Sequence, residues 1–272
     1  MKISFIGGGN MATALIAGLA GKLVQAASIH VVDPNAAALD RLRERYGVTT
    51  APEIGAAIAA SDVIVLAVKP QQMRDVALRL QSQLDARPLV LSIAAGIRGK
   101  DLSRWLGGYG AIVRTMPNTP ALIGQGITGM VAMAGVSAAQ KDAADSILRA
   151  VGKTVWLDSE DAIDPVTAVS GSGPAYVFFF LEAMQQAALE MGLTAEQGRE
   201  LAIATFTGAA QLAAQSTEPA EVLRQRVTSK GGTTHAAIVS MEAAGVKQAI
   251  VDAMKAAAAR GRELGEEMGR DG

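Results

Sequence analysis

Short apolar runs alternate with amphipathic stretches over the first part of the chain. Lys2–Ile6, Ser28–Val32, Val63–Val68, Leu89–Ile93 and Ala111–Met116 carry Val, Ile, Leu and Phe with little polar alternation. Such runs are strands covered on both faces. Between them, Met11–Lys22, Ala36–Tyr46, Gln71–Leu84 and Lys100–Leu106 read as helices. In Ala36–Tyr46, Leu39 and Leu42 mark the apolar side while Arg41, Arg43, Glu44 and Arg45 are solvated. Strands alternating with helices predict βαβ units and a mostly parallel sheet. Gly126–Met133 and Thr154–Leu157 are predicted to extend that sheet, on either side of a helix at Ala138–Val151.

The pattern changes near Leu157. Asp158-Ser159-Glu160-Asp161 is an acidic turn, and no strand pattern follows it. Helices are predicted at Ala162–Val169, Pro174–Met191, Ala195–Gln215, Pro219–Val227, Thr234–Ala244 and Lys247–Met268. Pro174 suits a first helical position. Thr194 with Gln197 three residues on makes a capping-box pattern, and Gly192 and Gly245 suit C-terminal caps. The expected fold is therefore α/β over residues 1–159 and all-α over 160–272. In the Pro174 helix, Tyr176, Phe178, Phe179, Phe180, Leu181 and Met184 cover nearly the whole circumference. A helix apolar all round must be buried on all sides. A region of ~110 residues struggles to do that alone, so this helix is expected to be sandwiched in a dimer interface.

Composition narrows the chemistry. At 272 residues the chain has room for two domains. Its 25 Lys+Arg against 26 Asp+Glu give a net charge of −1, without the basic footprint of a nucleic-acid or acidic-membrane binder. With no cysteine, disulfides, thiolate metal sites, iron–sulfur clusters and Cys nucleophiles are excluded. Two histidines argue against a multi-His centre, so no metal is expected. Met1 to Ala20 superficially resembles a secretion signal, but Gly7-Gly8-Gly9-Asn10 interrupts the apolar run too early. A cytoplasmic location is expected by default.

Five constellations carry candidate chemistry. Gly7-Gly8-Gly9-Asn10-Met11-Ala12 follows the first strand and opens a helix, fitting G-x-G-x-x-A. Gly7 allows the tight turn, Gly9 lets backbone approach a pyrophosphate, and Ala12 permits close helix packing. The helix N-terminus supplies free N–H groups to the phosphates. Asp33 ends the second strand, where an acidic residue accepts from ribose hydroxyls. A carboxylate there repels a 2′-phosphate, and Pro34-Asn35 supply no cation, so NADH is expected to serve at least as well as NADPH.

Val65–Pro70 and Ser92–Gly96 close two further strands, with small residues on which a flat cofactor can lie. Arg114-Thr115-Met116-Pro117-Asn118-Thr119-Pro120 is a rigid turn after a strand, placed to border a nicotinamide. Ser170-Gly171-Ser172-Gly173-Pro174-Ala175-Tyr176 sets two hydroxyls at a helix start, one of them expected to be an N-cap. Val227-Thr228-Ser229-Lys230-Gly231-Gly232-Thr233-Thr234 aims backbone amides at a small anion, expected to be a carboxylate. His30 lies in a strand and is expected in the core; His235 follows the Thr pair. No acid–base pair stands out, which points to a reaction whose hard chemistry the cofactor performs.

Together, Ile6–Met11, Ala67–Pro70, Arg114–Pro120, Ser170–Tyr176 and Val227–Thr234 closely resemble pyrroline-5-carboxylate reductase, over essentially the whole chain. The most specific parts are Gly231-Gly232-Thr233-Thr234 and Ser170–Tyr176. The resemblance implies an N-terminal Rossmann domain, a helical C-terminal dimerisation domain, and reduction of 1-pyrroline-5-carboxylate to L-proline by NADPH or NADH. It also implies dimers that assemble into larger rings such as decamers. Carried over by residue, Ile6, Gly7, Gly8, Gly9, Asn10 and Met11 would hold the pyrophosphate, and Asp33, Pro34 and Asn35 the adenosine ribose. Ala67, Val68, Lys69, Pro70, Ile93, Ala94, Ala95 and Asn118 would line the cofactor, and Glu160 matches an acidic position near it. Thr234 matches the hydroxyl on the ring nitrogen, while Ser229, Gly231, Gly232 and Thr233, with Ser172, would hold the substrate. Lys230 stands where many members carry proline, which leaves the loop less stiff and adds a cation.

Three other readings compete. A 3-hydroxyacid dehydrogenase usually places a catalytic Lys on the first long helix after the linker, and Pro174–Met191 has none. A broader imine reductase shares the same motifs. A non-catalytic nucleotide sensor would bind the cofactor without turnover.

Overall fold

The computed structural model describes residues 1–270. It divides into two compact units, Met1–Ser172 together with the segment from Ala256 onward, and Gly173–Lys255. The first unit is built on eight strands: β1 (Ile3–Ile6), β2 (Ile29–Val32), β3 (Thr49–Ala51), β4 (Val63–Leu66), β5 (Leu89–Ser92), β6 (Ile112–Met116), β7 (Gly126–Ala132) and β8 (Gly152–Trp156). They form one sheet in the order β3-β2-β1-β4-β5-β6-β7-β8. Every pairing is parallel except β6 with β7. The sheet class expected from the apolar runs is therefore correct, and all four residues of β1, β4 and β5 are buried.

Seven helices accompany the strands: α1 (Asn10–Leu19), α2 (Ala36–Tyr46), α3 (Ala56–Ala59), α4 (Met73–Leu80), α5 (Gly99–Trp105), α6 (Ala138–Arg149) and α7 (Ile163–Val166). Side chains alternate across each strand and so feed two cores. On one face Phe5, Val31, Val65 and Leu91 pack with Leu15 and Ile16 of α1, Leu42 of α2 and Ile147 of α6. On the other, Ile6, Ile64 and Val90 pack with Met73 and Leu80 of α4 and Leu102 of α5. Each fully buried Leu or Ile in these layers contributes about 1.5–3 kcal/mol relative to exposure. Strand order reverses between β1 and β4, which opens a crevice at their C-terminal ends.

The second unit is helical: α8 (Gly173–Glu190), α9 (Ala195–Gln215), α10 (Ala220–Arg226), α11 (Thr233–Ala243) and α12 (Val246–Met268), whose last turns belong to the first unit. The capping box expected at Thr194 is formed, with Gln197 N–H on Thr194 Oγ1 at 3.2 Å and the Gln197 amide oxygen on Thr194 N at 2.9 Å. Phe180 of α8 and Phe206 of α9 stack tilted, 6.2 Å apart. In this single chain, however, α8 buries fully only Ala188, and Phe179 is 71% exposed.

Some local expectations need correction. The helix expected over Ala162–Val169 is a 3₁₀ turn at Glu160–Ala162, then α7, then a π-helical turn at Thr167–Gly171 that ends at a bend at Ser172. His30 is half-buried and not a core residue. It pairs with edge strand β3, and its Nδ1 lies 2.9 Å from Thr49 Oγ1. Desolvation there lowers its pKa below 6.5.

Candidate functional site

The crevice of the first unit is a cavity of about 460 Å³ lined by Ile6, Gly7, Gly9, Val32, Asp33, Pro34, Ala67, Val68 and Lys69, all candidates from the sequence except Val32. Glu53, Asp75 and Arg79 complete its charged rim. Gly7 takes φ +104°, and a Cβ there would lie 2.6 Å from the Ala67 carbonyl oxygen, so only glycine lets β1 turn this close to β4. Its N–H donates to Val32 O at 2.8 Å. Gly9 is the N-cap of α1, and no side chain caps it, so the first-turn amides remain available to an anion. Open space surrounds the position of a Gly9 Cβ. A dinucleotide pyrophosphate fits this cradle.

Asp33 is held from two sides. Gly8 N–H donates to Oδ2 at 2.7 Å and Asn35 N–H to Oδ1 at 2.8 Å. Asn35 itself caps α2, its Oδ1 accepting from Ala38 N–H at 3.2 Å. The Asn35 side chain is therefore engaged by its own helix.

The remaining first-unit candidates are not among the residues lining this cavity, although Ile93 N–H donates to Leu66 O at 3.2 Å, next to Ala67. Ile93, Ala94 and Ala95 follow β5, with Ala94 buried and Ala95 exposed. Asn118 is 8% exposed; its Nδ2 donates to Ser170 O at 3.1 Å and its Oδ1 accepts from Ile127 N–H at 3.0 Å. The reason lies in the sequence. Pro174 has no N–H to return four residues back, so the Ser170 carbonyl loses its helical donor and the chain widens into a π turn. Asn118 supplies the missing donor. Ser170 does not act as the expected N-cap: its Oγ donates back to Val166 O at 3.0 Å. Ser172 closes the turn, its N–H on Thr167 O at 2.8 Å.

Glu160 accepts on one oxygen from Gly99 N–H at 2.5 Å and from Arg114 Nη1 at 2.9 Å. The Arg114 side chain is only 5% exposed. This pair, buried at Arg114 and half-buried at Glu160, ties β6, the start of α5 and the turn after β8 together. Sequence reasoning quoted Arg114 only as part of a turn motif. An arginine in the middle of an apolar strand was the signal that a carboxylate had to accompany it.

In the second unit, Val227–Gly232 joins α10 to α11. Thr228 Oγ1 donates to Arg224 O at 2.6 Å, and Gly232 N–H donates to Ser229 O at 3.0 Å. Gly232 is the N-cap of α11, again without a side-chain cap. The amides and hydroxyls of Thr233 and Thr234 therefore open the helix, both residues exposed, and His235 follows them exposed. Ser229, Gly231, Gly232, Thr233 and Thr234 thus come together in one amide-rich turn.

Two family models match the chain. Residues 160–264 match the pyrroline-5-carboxylate reductase dimerisation family, and residues 2–96 match the family described as NADP oxidoreductase, coenzyme F420-dependent. A pyrroline-5-carboxylate reductase of Pseudomonas aeruginosa is 47% identical, the match covering 99% of this chain and 98% of that protein. A solved pyrroline-5-carboxylate reductase from Coxiella burnetii superposes with a TM-score of 0.91 at 41% identity, covering 97% of this chain and 98% of that one. The Plasmodium falciparum pyrroline carboxylate reductase, solved with NADP bound, superposes with a TM-score of 0.87 at 27% identity, covering 97% and 98%.

Proposed function

The chain belongs to the pyrroline-5-carboxylate reductase family, and on that premise we propose the roles its residues play in the family's reaction. It is an NAD(P)H-dependent oxidoreductase that reduces the C=N bond of 1-pyrroline-5-carboxylate to give L-proline, the last step of proline biosynthesis. It associates with itself through the matched dimerisation region. Among the described residues, no helix is long and apolar enough to cross a membrane.

NAD(P)H, when bound, supplies the hydride that reaches the ring carbon of the imine; the ring nitrogen takes a proton. The residues do the positioning. Gly7, Gly9, Asn10 and Met11 hold the pyrophosphate, with Ile6 beneath them, and Asp33 and Pro34 meet the adenosine ribose. Ala67–Pro70 and Ile93–Ala95 flank the bound dinucleotide. Asn118 and Glu160 support the cofactor region through their bonds to the π turn and to α5. Ser229 and the amides of Gly231–Thr234 take the substrate carboxylate, Ser172 adds a hydroxyl, and Thr234 orients the ring nitrogen. Fixed geometry converts an encounter into a near-unimolecular step, and fixed donors require no reorganisation as charge shifts. A hydroxyl of ordinary basicity is a poor sole acid, so Thr234 positions first and relays a proton second.

The reading further assigns residues 1–159 to cofactor binding and 160–272 to substrate binding and dimerisation, places the enzyme in the cytoplasm, and allows dimers to build a decamer. The near full-length 47% identity to a reductase of this activity supports it most directly. Its test is NADH and NADPH oxidation with 1-pyrroline-5-carboxylate and with an uncharged cyclic imine. Turnover confined to the carboxylate substrate supports the loop assignment, and equal turnover of both contradicts it.

A further inference from the structure

We propose that this enzyme reads the adenosine ribose as a free diol and prefers NADH to NADPH, because the Gly8 and Asn35 amides clamp Asp33 as a fixed acceptor. The inference rests on the dinucleotide site assigned above. An ionised carboxylate has about four acceptor directions. One on each oxygen is taken, by Gly8 N–H at 2.7 Å and by Asn35 N–H at 2.8 Å. One direction per oxygen remains, which matches two vicinal hydroxyl donors. A ribose 2′-phosphate offers no such pair and brings a charge of about −1.5 to −2.

The clamp is what makes Asp33 selective. An unrestrained aspartate swings aside to admit a phosphate; one bonded through both oxygens to backbone cannot. A Cβ at Gly8 would lie 3.2 Å from Leu42 Cδ1 and 3.5 Å from Asp33 Oδ2, so a side chain there would displace the tip of Leu42 slightly and leave the carboxylate in ordinary contact. The Gly8 amide is committed to Asp33, which leaves Gly9, Asn10 and Met11 for the pyrophosphate.

The surroundings offer a 2′-phosphate little compensation. Pro34, Asn35, Ala36 and Ala37 follow Asp33 without a cation. Glu53 and Asp75 on the rim offset Lys69 and Arg79. Arg41 and Arg45 line a neighbouring cavity of about 470 Å³ that Gly8 also lines, with Glu44 beside them, and the Arg45 guanidinium lies over the Tyr46 ring. Specificity here is a repulsive element set against the wrong ligand.

The experiment is a fluorescence titration of NADH and NADPH against the full-length enzyme without substrate, paired with kcat/KM for each in 1-pyrroline-5-carboxylate reduction. NADH is expected to be favoured by at least about tenfold in both readouts, the scale of one fixed charge opposing a phosphate near the surface. Asp33→Ser should weaken NADH binding about tenfold and strengthen NADPH, narrowing or reversing the ratio. Asp33→Asn keeps the side-chain shape, and with circular dichroism confirming its fold it should also narrow the ratio. A wild-type preference for NADPH, or a ratio unchanged in both variants, overturns the proposal. So does NADPH binding that Arg41→Ala alone weakens, because the phosphate then sits in the neighbouring cavity. Failure of both dinucleotides to bind rejects the cofactor site itself, a result distinct from a wrong preference.

Discussion

Thr234 and His30 illustrate how much one side chain conveys. Thr234 was singled out through the family resemblance, because the Gly231-Gly232 turn before it also reads as an ordinary helix start with Gly232 as its N-cap. Thr234→Ala is expected to lower kcat roughly ten- to a thousand-fold, the scale of losing one positioned donor, with an unchanged circular dichroism spectrum. Full turnover in the variant would remove Thr234 from the reaction. His30 was misread because its strand run looked continuously buried, whereas its neighbour is the polar edge strand β3. Its lowered folded pKa means the unfolded chain binds the proton more readily near and below pH 6.5. That stabilising contribution is complete above pH 6.5 and is lost as pH falls through the folded value. Chemical denaturation between pH 7.5 and 5.5 should therefore slope less in His30→Gln than in the parent.

At the level of elements, apolar runs and glycine punctuation disclosed the sheet and most helices, since burial on both faces leaves a continuous hydrophobic record. Three elements left no such record. β3 and α3 are too short for any period to register, at three and four residues. The π turn arises from Pro174 and is completed by Asn118, a partner 52 residues away that no local pattern signals. The nearly all-round apolarity of α8 was legible as a demand for a second copy, and the matched dimerisation region at 160–264 includes this helix. Phe179→Asp is expected to weaken the dimer by about 2–4 kcal/mol, the range of a buried aromatic anchor. Sedimentation at micromolar concentration should then find monomer where the parent is dimer; an unchanged dimer would place the contact elsewhere.

For the whole molecule, the end of the strand pattern near Leu157 was readable, but the extension of the first unit to Ser172 and the return of α12 to it were not. Arg98 Nη2 lies 3.6 Å from Glu266 Oε1, and Arg104 Nη2 donates to Gly269 O at 2.7 Å. Met268 and Leu264 pack on Gly96, beside Ile93–Ala95. Ending the chain at Lys255 is expected to lower the midpoint of thermal unfolding and weaken NAD(P)H binding, although every assigned cofactor residue remains. Wild-type affinity in a titration of that shortened protein would show that this segment does not support the loop.

That returning helix also sets a timetable for synthesis. Translation at about 5–20 residues per second delivers Met1–Ser172 several seconds before the stretch from Ala256 that completes the same unit. A nascent nucleotide-binding sheet must wait on the ribosome with the loop after β5 unbacked while the helical unit is made. A chain ended between Ser172 and Ala256 therefore lacks part of its first unit, and is expected to be cut by proteases faster than the full-length protein.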